Sequence, residues 1–393
     1  MRYKRILAGL IACLALSGCG SASAETDPSI GSEPLSASVC STETAAPSAN
    51  TESAPALSSG AAVTTDGAPL ESGSVIYEGD AYVKAGEFLA SLDNGQLSGN
   101  DQDGYTLRWE NGEKQFRPGE EATRWNGELW LPLEETCEAL EVSLLEDPEE
   151  NRVYCTSGIS HWDVPKGIRV PVLMYHAVDS NTWGHEPLFV DPEVMEAHLQ
   201  YLVENGYDPI FFEDLNEVEQ YDKPVIITFD DGYVNNYTNL YPLLEKYQVK
   251  ATIFVVTSSI RTRETSMSVE QVKELSDSGL VSIQSHTVNH SVLRDLTPEE
   301  QDEEMRLSKL EVARMTGREP FVFSYPTGAY NRTTLKTVKK YYDFAVTVEE
   351  GDYISGVDPY EICRYYVRRT TTMEEFMEML ENAGDKAHWP YLG

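Results

Sequence analysis

PVIITFDDG, residues 224–232, sets an apolar run directly against two adjacent aspartates. Ile226, Ile227 and Phe229 have the β-branched and aromatic character of a core strand, and no polar alternation leaves one face in water. The run therefore reads as a strand buried on both faces. Two carboxylates do not follow such a strand unless something there uses negative charge, because burying an unpaired charge is costly. Six further runs of the same kind surround it: RVPVLMYH (169–176), KATIFVV (250–256), LVSIQSH (280–286), FVFSYP (321–326), DFAVTVE (343–349) and ICRYYV (362–367). Helical signals alternate with them. Asp191-Pro192 supplies an N-cap and an N1 proline for a helix that stops near Gly206. Ser268 with Gln271 reads as a capping box, and Thr297, Pro298 and Glu300 open a long acidic helix ending at Gly317. The alternation predicts a parallel α/β domain over residues 169–383, a distorted (β/α)7 barrel, with an open doubly wound sheet as the alternative.

The unexpected polar residues fall at the ends of these runs. His176 ends the first, Asp230 and Asp231 the second, His286 the fourth with His290 four residues later, and Tyr325-Pro326 the fifth; Arg364 lies in the seventh. Each has an ordinary explanation taken singly: a solvated turn, surface-helix histidines, a hydrogen-bonded core histidine, a loop-shaping Tyr-Pro. In an α/β barrel, however, strand C-termini share one face, and that face carries the chemistry. Two imidazoles and one carboxylate make a donor set for a divalent metal, zinc first, with a position left open for water. The second aspartate can then act as general base. Neighbouring side chains on a strand face opposite ways. At a strand end turning on Gly232, both carboxylates can reach one site with separate jobs.

The motifs TFDDG (228–232), SHTVNH (285–290) and FSYPTG (323–328) resemble the first three motifs of the polysaccharide deacetylases, carbohydrate esterase family 4. The resemblance covers roughly residues 169–383. It implies Asp230 as catalytic base, Asp231, His286 and His290 as ligands of a divalent metal, usually zinc, and the backbone N–H of Thr327 as an oxyanion donor beside Tyr325 and Pro326. Two departures stand out. Many members begin the third motif with an arginine that steadies the base, but here Phe323-Ser324 stand there, and Arg364 on the last strand is the candidate replacement. Many also carry a late Leu-x-His motif whose histidine protonates the leaving amine, whereas the only histidine after residue 344 is His388 in the tail. VPVLMYHAV (170–178) is similar to the opening of a rearranged branch acting on exopolysaccharides such as poly-N-acetylglucosamine, which implies His176 as general acid. Trp183, His185 and Tyr330, on loops after strands, could line a sugar groove or pack their loops. The expected activity is N-deacetylation of a polymer containing N-acetylglucosamine, peptidoglycan or exopolysaccharide. An O-acetyl esterase and a non-catalytic carbohydrate-binding protein are the alternatives, the last disfavoured by the intact Asp230, Asp231, His286 and His290 set.

The remainder of the chain reads as a tether and an accessory unit. The 393 residues carry 65 acidic against 30 basic side chains, a net charge of −35, which argues against a nucleic-acid partner. MRYKR followed by ILAGLIACLALSG has the form of a secretory signal. LSGC, Leu16 to Cys19, resembles a bacterial lipobox, implying a signal of residues 1–18, a lipid on Cys19 and attachment at the extracellular face of the cytoplasmic membrane. Residues 19–73 are rich in Ser, Ala, Thr, Pro and Gly and are expected to be a disordered linker. Residues 75–158 carry strand signals, including a hairpin at Asn111-Gly112, and predict a small α+β domain. GELWLPL (127–133) with its following helix and NRVYC (151–155) resemble the small domain named after the copper amine oxidase N-terminus; no copper site accompanies the resemblance. Cys137 and Cys155 could pair or remain buried thiols. A monomer is expected.

Overall fold

The computed structural model describes residues 58–92, 95–109, 112–117 and 121–381. The signal-like segment, Cys19, the first part of the linker and the tail with His388 lie outside the described residues. Among the described residues, no helix is long and apolar enough to cross a membrane.

The larger domain is framed by β1 Val172–Tyr175, β2 Pro224–Phe229, β3 Ala251–Val255, β4 Val281–Ser285, β5 Val322–Ser324, β6 Phe344–Val346 and β7 Tyr365–Tyr366. Their order is β6-β5-β4-β3-β2-β1-β7, with every neighbouring pair parallel. The last segment closes the curl. It starts against β6, where Ile362 pairs with Val346, and finishes against β1, where Tyr365 pairs with Leu173. Hydrogen bonds from Thr347 N–H to Ile362 O (2.8 Å) and from Val367 N–H to Met174 O (3.0 Å) mark its two sides. The sheet is thus a curled (β/α)7 barrel whose distortion lies in a short, irregular seventh strand.

Around the sheet lie α1 Pro192–Glu204, α2 Tyr241–Tyr247, α3 Thr257–Thr262, α4 Val269–Asp277, α5 Pro298–Thr316, α6 Arg332–Val338 and α7 Met373–Glu381. The capping boxes at Ser268/Gln271 and Thr297/Glu300 are both formed, and Gly317 ends α5 in the left-handed conformation that glycine tolerates (φ 78°).

Strand period decides what enters the barrel. Val225, Ile227 and Phe229 of β2, with Leu173, Tyr175, Ile253 and Ile283, pack outward against α1, α2 and α4 through Met195, Leu199, Leu244 and Val272. The alternate residues Val172, Ile226, Phe254, Val322, Phe344 and Val346 meet in a second cluster inside the curl. Burial of each such side chain stabilises the fold by about 1.5–3 kcal/mol. The same alternation sends Thr228 and then Asp230 inward.

The small domain carries the expected elements: strands Ser74–Tyr77 and Asp80–Lys84, helix Ala85–Ser91, the hairpin Gly104–Trp109 with Gly112–Phe116, strand Glu128–Pro132, helix Leu133–Ala139 and closing strand Arg152–Thr156. Its start differs from the expected boundary. Residues 58–69, assigned above to the linker, form short strands, and Ala62–Thr65 pairs in parallel with residues 152–155. Val63 and Thr65 are buried there, so these few residues gain a core that their Ser/Ala/Gly-rich neighbourhood does not offer locally. Cys137 and Cys155 are free, buried thiols with sulfurs 3.8 Å apart.

The domains meet at the C-terminal end of α5. Gly67 and Gly317 approach so closely that a Cβ on Gly317 would lie 2.7 Å from the Gly67 Cα. Arg314 forks onto Asp147 (2.6 and 2.8 Å) and reaches Glu149 (3.0 Å), and Asp147 is fully buried. Removing one partner of a buried pair strands the other charge. Asp147→Ala is expected to cost about 3 kcal/mol in urea unfolding, at the low end for buried pairs because Glu149 and Glu150 remain near Arg314. A loss below about 0.5 kcal/mol, the size of an ordinary surface substitution, would show that this pair does not secure the interface.

Candidate active site

The rim at the C-terminal ends of β1, β2, β4 and β5 gathers the polar residues singled out above. Asp230 follows β2 and is 3% exposed. Its Oδ1 and Oδ2 accept from Arg364 Nη1 and Nη2, both at 2.8 Å, a bidentate fork. Ser324 Oγ donates to the same carboxylate at 3.3 Å. The guanidinium is fully buried and uses its remaining donors on Thr347 O (2.8 Å), Thr228 Oγ1 (3.0 Å) and Ser324 Oγ (3.2 Å), with the Phe254 ring 5.8 Å away. Burial alone would raise the Asp230 pKa, but the charge and hydrogen bonds of Arg364 outweigh it and hold the carboxyl well below the usual range. Asp230 is therefore an oriented anion. Ser324 Oγ sits between it and Arg364, accepting from Arg364 Nη2 while donating to Asp230.

Asp231 departs from the strand. Its φ of 75° and the φ of 70° at Gly232 swing the second carboxylate back to the rim, so the turn begins one residue before the glycine. A Cβ on Gly232 would sit 2.9 Å from Val255 Cγ1, which makes glycine necessary there. Asp231 Oδ1 lies 3.7 Å from His286 Nε2 and 3.4 Å from His290 Nε2. One ligand atom from each of the three lies within 4.8 Å of the others. His286, buried at the end of β4, directs Nδ1 to Ser324 O at 2.8 Å, leaving Nε2 for the cluster. Metal-binding histidines commonly have their other ring nitrogen held by a carbonyl in this way, and the cluster could hold a metal ion. His286 and His290 do not share a helical face. They belong to a loop in which Thr287 (φ 64°) and His290 (φ 57°) are left-handed, and Thr287 Oγ1 accepts from His290 N–H at 2.9 Å.

His176 follows β1 with its Nδ1 buried and without a partner among the described residues. Its ring lies 5.6 Å from Tyr366. Burial lowers its pKa, opposed by the charges of Asp230 and Asp231, and so disfavours the charged ring. Trp183 is 44% exposed and stands edge-on to Phe189 (4.8 Å) and Tyr233 (5.1 Å). His185 stays exposed beside the turn Glu186–Leu188.

Two expectations are corrected. Tyr325 does not offer its ring or its N–H to a substrate. The ring is fully buried against Phe323 and Tyr330, the hydroxyl donates to Tyr360 O (3.0 Å), and the N–H donates to Val346 O (3.2 Å). Strand period is the reason: with Ser324 facing in, Tyr325 faces out. Tyr330 is likewise committed, stacked on Tyr325 with its hydroxyl on Glu361 at 2.7 Å. Pro326 is buried at the start of a short 3-10 turn, and Thr327 is exposed with φ 58°. Sequence reasoning passed over Thr228, Ser324 and Tyr366. The first two are inward positions of strands already recognised, so their period was the available signal.

Residues 217–342 match the polysaccharide deacetylase family. YxkH of Bacillus subtilis (strain 168), whose name provisionally assigns it to polysaccharide deacetylation, is 40% identical over 192 residues, covering 47% of this chain and 67% of that one. The chain belongs to the polysaccharide deacetylase family. Poly-beta-1,6-N-acetyl-D-glucosamine N-deacetylase of Escherichia coli (strain K12) is 26% identical over 263 residues, 55% of this chain and 39% of that enzyme. The chain thus spans about two thirds of the first relative's length and well under half of the second's. The structure of Streptococcus pyogenes deacetylase PplD in complex with acetate is 28% identical, with a TM-score of 0.51, covering 55% of this chain and 99% of that one.

Arg364→Gln leaves the buried Asp230 carboxylate without its cation and is expected to cost about 3–5 kcal/mol at pH 7 in urea unfolding with chelator present. In the wild type the pKa of Asp230 is depressed, so its contribution is complete above the unfolded value of about 4 and is lost only as pH falls below it. In the variant, burial, the largest influence, is opposed only by the weaker effects of His286 and His176 and raises that pKa, so the gap between the two proteins should narrow from pH 7 towards pH 5. A gap that stays constant over that range would show that the cost has another origin.

Proposed function

We propose that this protein is a metal-dependent N-deacetylase of N-acetylglucosamine-containing polysaccharide at the cell surface. The observation that carries the reading is the pair of adjacent carboxylates in different surroundings: Asp230 forked by Arg364, Asp231 turned onto two imidazoles. Groups of one chemical type pushed into different roles by their environments are how hydrolytic sites divide labour.

Asp231, His286 and His290 are the residues that would hold a divalent cation, zinc in our reading, and the donor set suits it. When bound, such a cation supplies Lewis acidity to the attacking water and to the acetamide carbonyl. Asp230, ionised and fixed in direction by Arg364, takes the proton of the attacking water. In this reading the N–H of Thr327 donates to the developing oxyanion. His176 passes a proton to the leaving nitrogen. Burial disfavours the resting imidazolium, so the proton His176 delivers is balanced by the one Asp230 takes from the water, and the charges of Asp230 and Asp231 favour the imidazolium when it forms. Acetate and a free amine are the products. Trp183, packed edge-on to Tyr233, gives an exposed aromatic face on which a sugar ring can stack.

Lipidation at Cys19, outside the described residues, would keep the enzyme at the outer face of the cytoplasmic membrane, where the small domain would act as spacer or wall-binding unit. The substrate assignment draws on the E. coli relative, which is named for poly-beta-1,6-N-acetyl-D-glucosamine.

The test is acetate release from N-acetylglucosamine oligomers, peptidoglycan and acetylated xylan, with and without chelator. Release from an N-acetylglucosamine polymer, lost on chelation, is expected. Release from xylan alone would make the protein an O-acetyl esterase. Asp230→Asn is expected to lower the rate at least about 100-fold with metal content unchanged; near-normal turnover would remove Asp230 as base.

A further inference from the structure

Between the two histidines of the candidate metal cluster runs a loop that its own sequence does not favour. Thr287 and His290 both hold left-handed backbone conformations, which side-chain-bearing residues adopt only when their surroundings over-determine them. The surroundings come from two directions. Carbonyls of the loop are held by α3, where Thr257 N–H donates to Thr287 O (3.2 Å) and Ser258 N–H to Val288 O (3.0 Å). The donors of the loop converge on a single carboxylate from α5, Glu304. Its Oε2 accepts from Val288 N–H (2.9 Å) and Asn289 N–H (3.0 Å), and its Oε1 accepts from Asn289 Nδ2 (2.8 Å) and Ser291 Oγ (3.0 Å). Glu304 is 9% exposed, so these four donors have little access to water if the carboxylate is removed.

We propose that Glu304 is a positioning residue for the metal site: it fixes the loop from residue 288 to 291 and thereby holds His290 within reach of Asp231 and His286. Glu304 touches neither of the histidines nor Asp231 in any hydrogen bond, so it acts through the loop alone. His286 is anchored independently, by its own place at the end of β4 and by Ser324 O. His290 is half-exposed, and the loop is its principal support. Losing Glu304 should therefore loosen one ligand of three while leaving the other two in place. Supporting partners of this kind typically change metal affinity by about 10–100-fold.

The inference rests on the metal reading of the Asp231, His286 and His290 cluster, and the experiment separates the two. Zinc dissociation constants are measured by competition with a chromogenic chelator for the wild type, Glu304→Gln, Glu304→Ala and the exposed-neighbour control Glu303→Gln, each checked for cooperative thermal unfolding without metal. The Gln variant keeps the shape and one acceptor, so it reports even where the Ala variant fails to fold. The expected result is zinc binding at least about tenfold weaker in Glu304→Gln, unchanged in Glu303→Gln, with turnover of the Gln variant recovering at saturating zinc. A purely structural role would lower the melting temperature without moving the dissociation constant of the folded protein, and that result would overturn the proposal. Wild-type protein that binds no zinc would overturn the metal reading itself, and this inference with it.

Discussion

A single buried fork, Arg364 onto Asp230, carries both the closure of the barrel and the proposed chemistry. The guanidinium lies wholly inside the curled sheet and joins four strand ends: Thr228 on β2 with Asp230 just beyond it, Ser324 on β5, Thr347 beyond β6, and its own segment leading into β7. A buried ion pair is weak evidence of stability unless its remaining donors and acceptors are satisfied. Here all five guanidinium hydrogens face acceptors, and the carboxylate also takes the Ser324 hydroxyl. The irregular last strand passes between β6 and β1 where this network holds it, so the orientation of the proposed base and the sealing of the sheet are one feature.

The fork also divides the two aspartates. With both Asp230 oxygens engaged by Arg364, the carboxylate turned towards the imidazoles is Asp231, and the positive φ at that residue is the cost of bringing it round. In the proposed mechanism this separation is what permits a base and a metal ligand to be neighbours in the chain. A base that drifted onto the cation would be lost as a base.

Much of this was legible in the sequence, and the failures have definite causes. The strand runs and their polar ends were visible because parallel strands buried on both faces are nearly uninterrupted apolar runs. Arg364 was legible by elimination, once Phe323-Ser324 were seen in place of the expected arginine. Tyr325 was misread because a motif was taken as a block; counting in twos from Ser324 turns its ring away from the site. Glu304 was invisible as one of five acids in PEEQDEEMR, whose composition reads as a solvated helix face. Its meaning comes only from the loop brought above it. Residues 62–65 were lost in the linker because their partner strand lies about ninety residues on in the chain, beyond the reach of any local pattern.

The central claim is that Asp231 binds the metal and Asp230 does not. Anomalous diffraction at the zinc edge, from crystals grown with zinc, tests it most directly. The account predicts one strong peak about 2.0–2.2 Å from a carboxylate oxygen of Asp231 and from Nε2 of both His286 and His290, with Asp230 still forked on Arg364. A peak coordinated by Asp230, or one that leaves out either histidine, would contradict it.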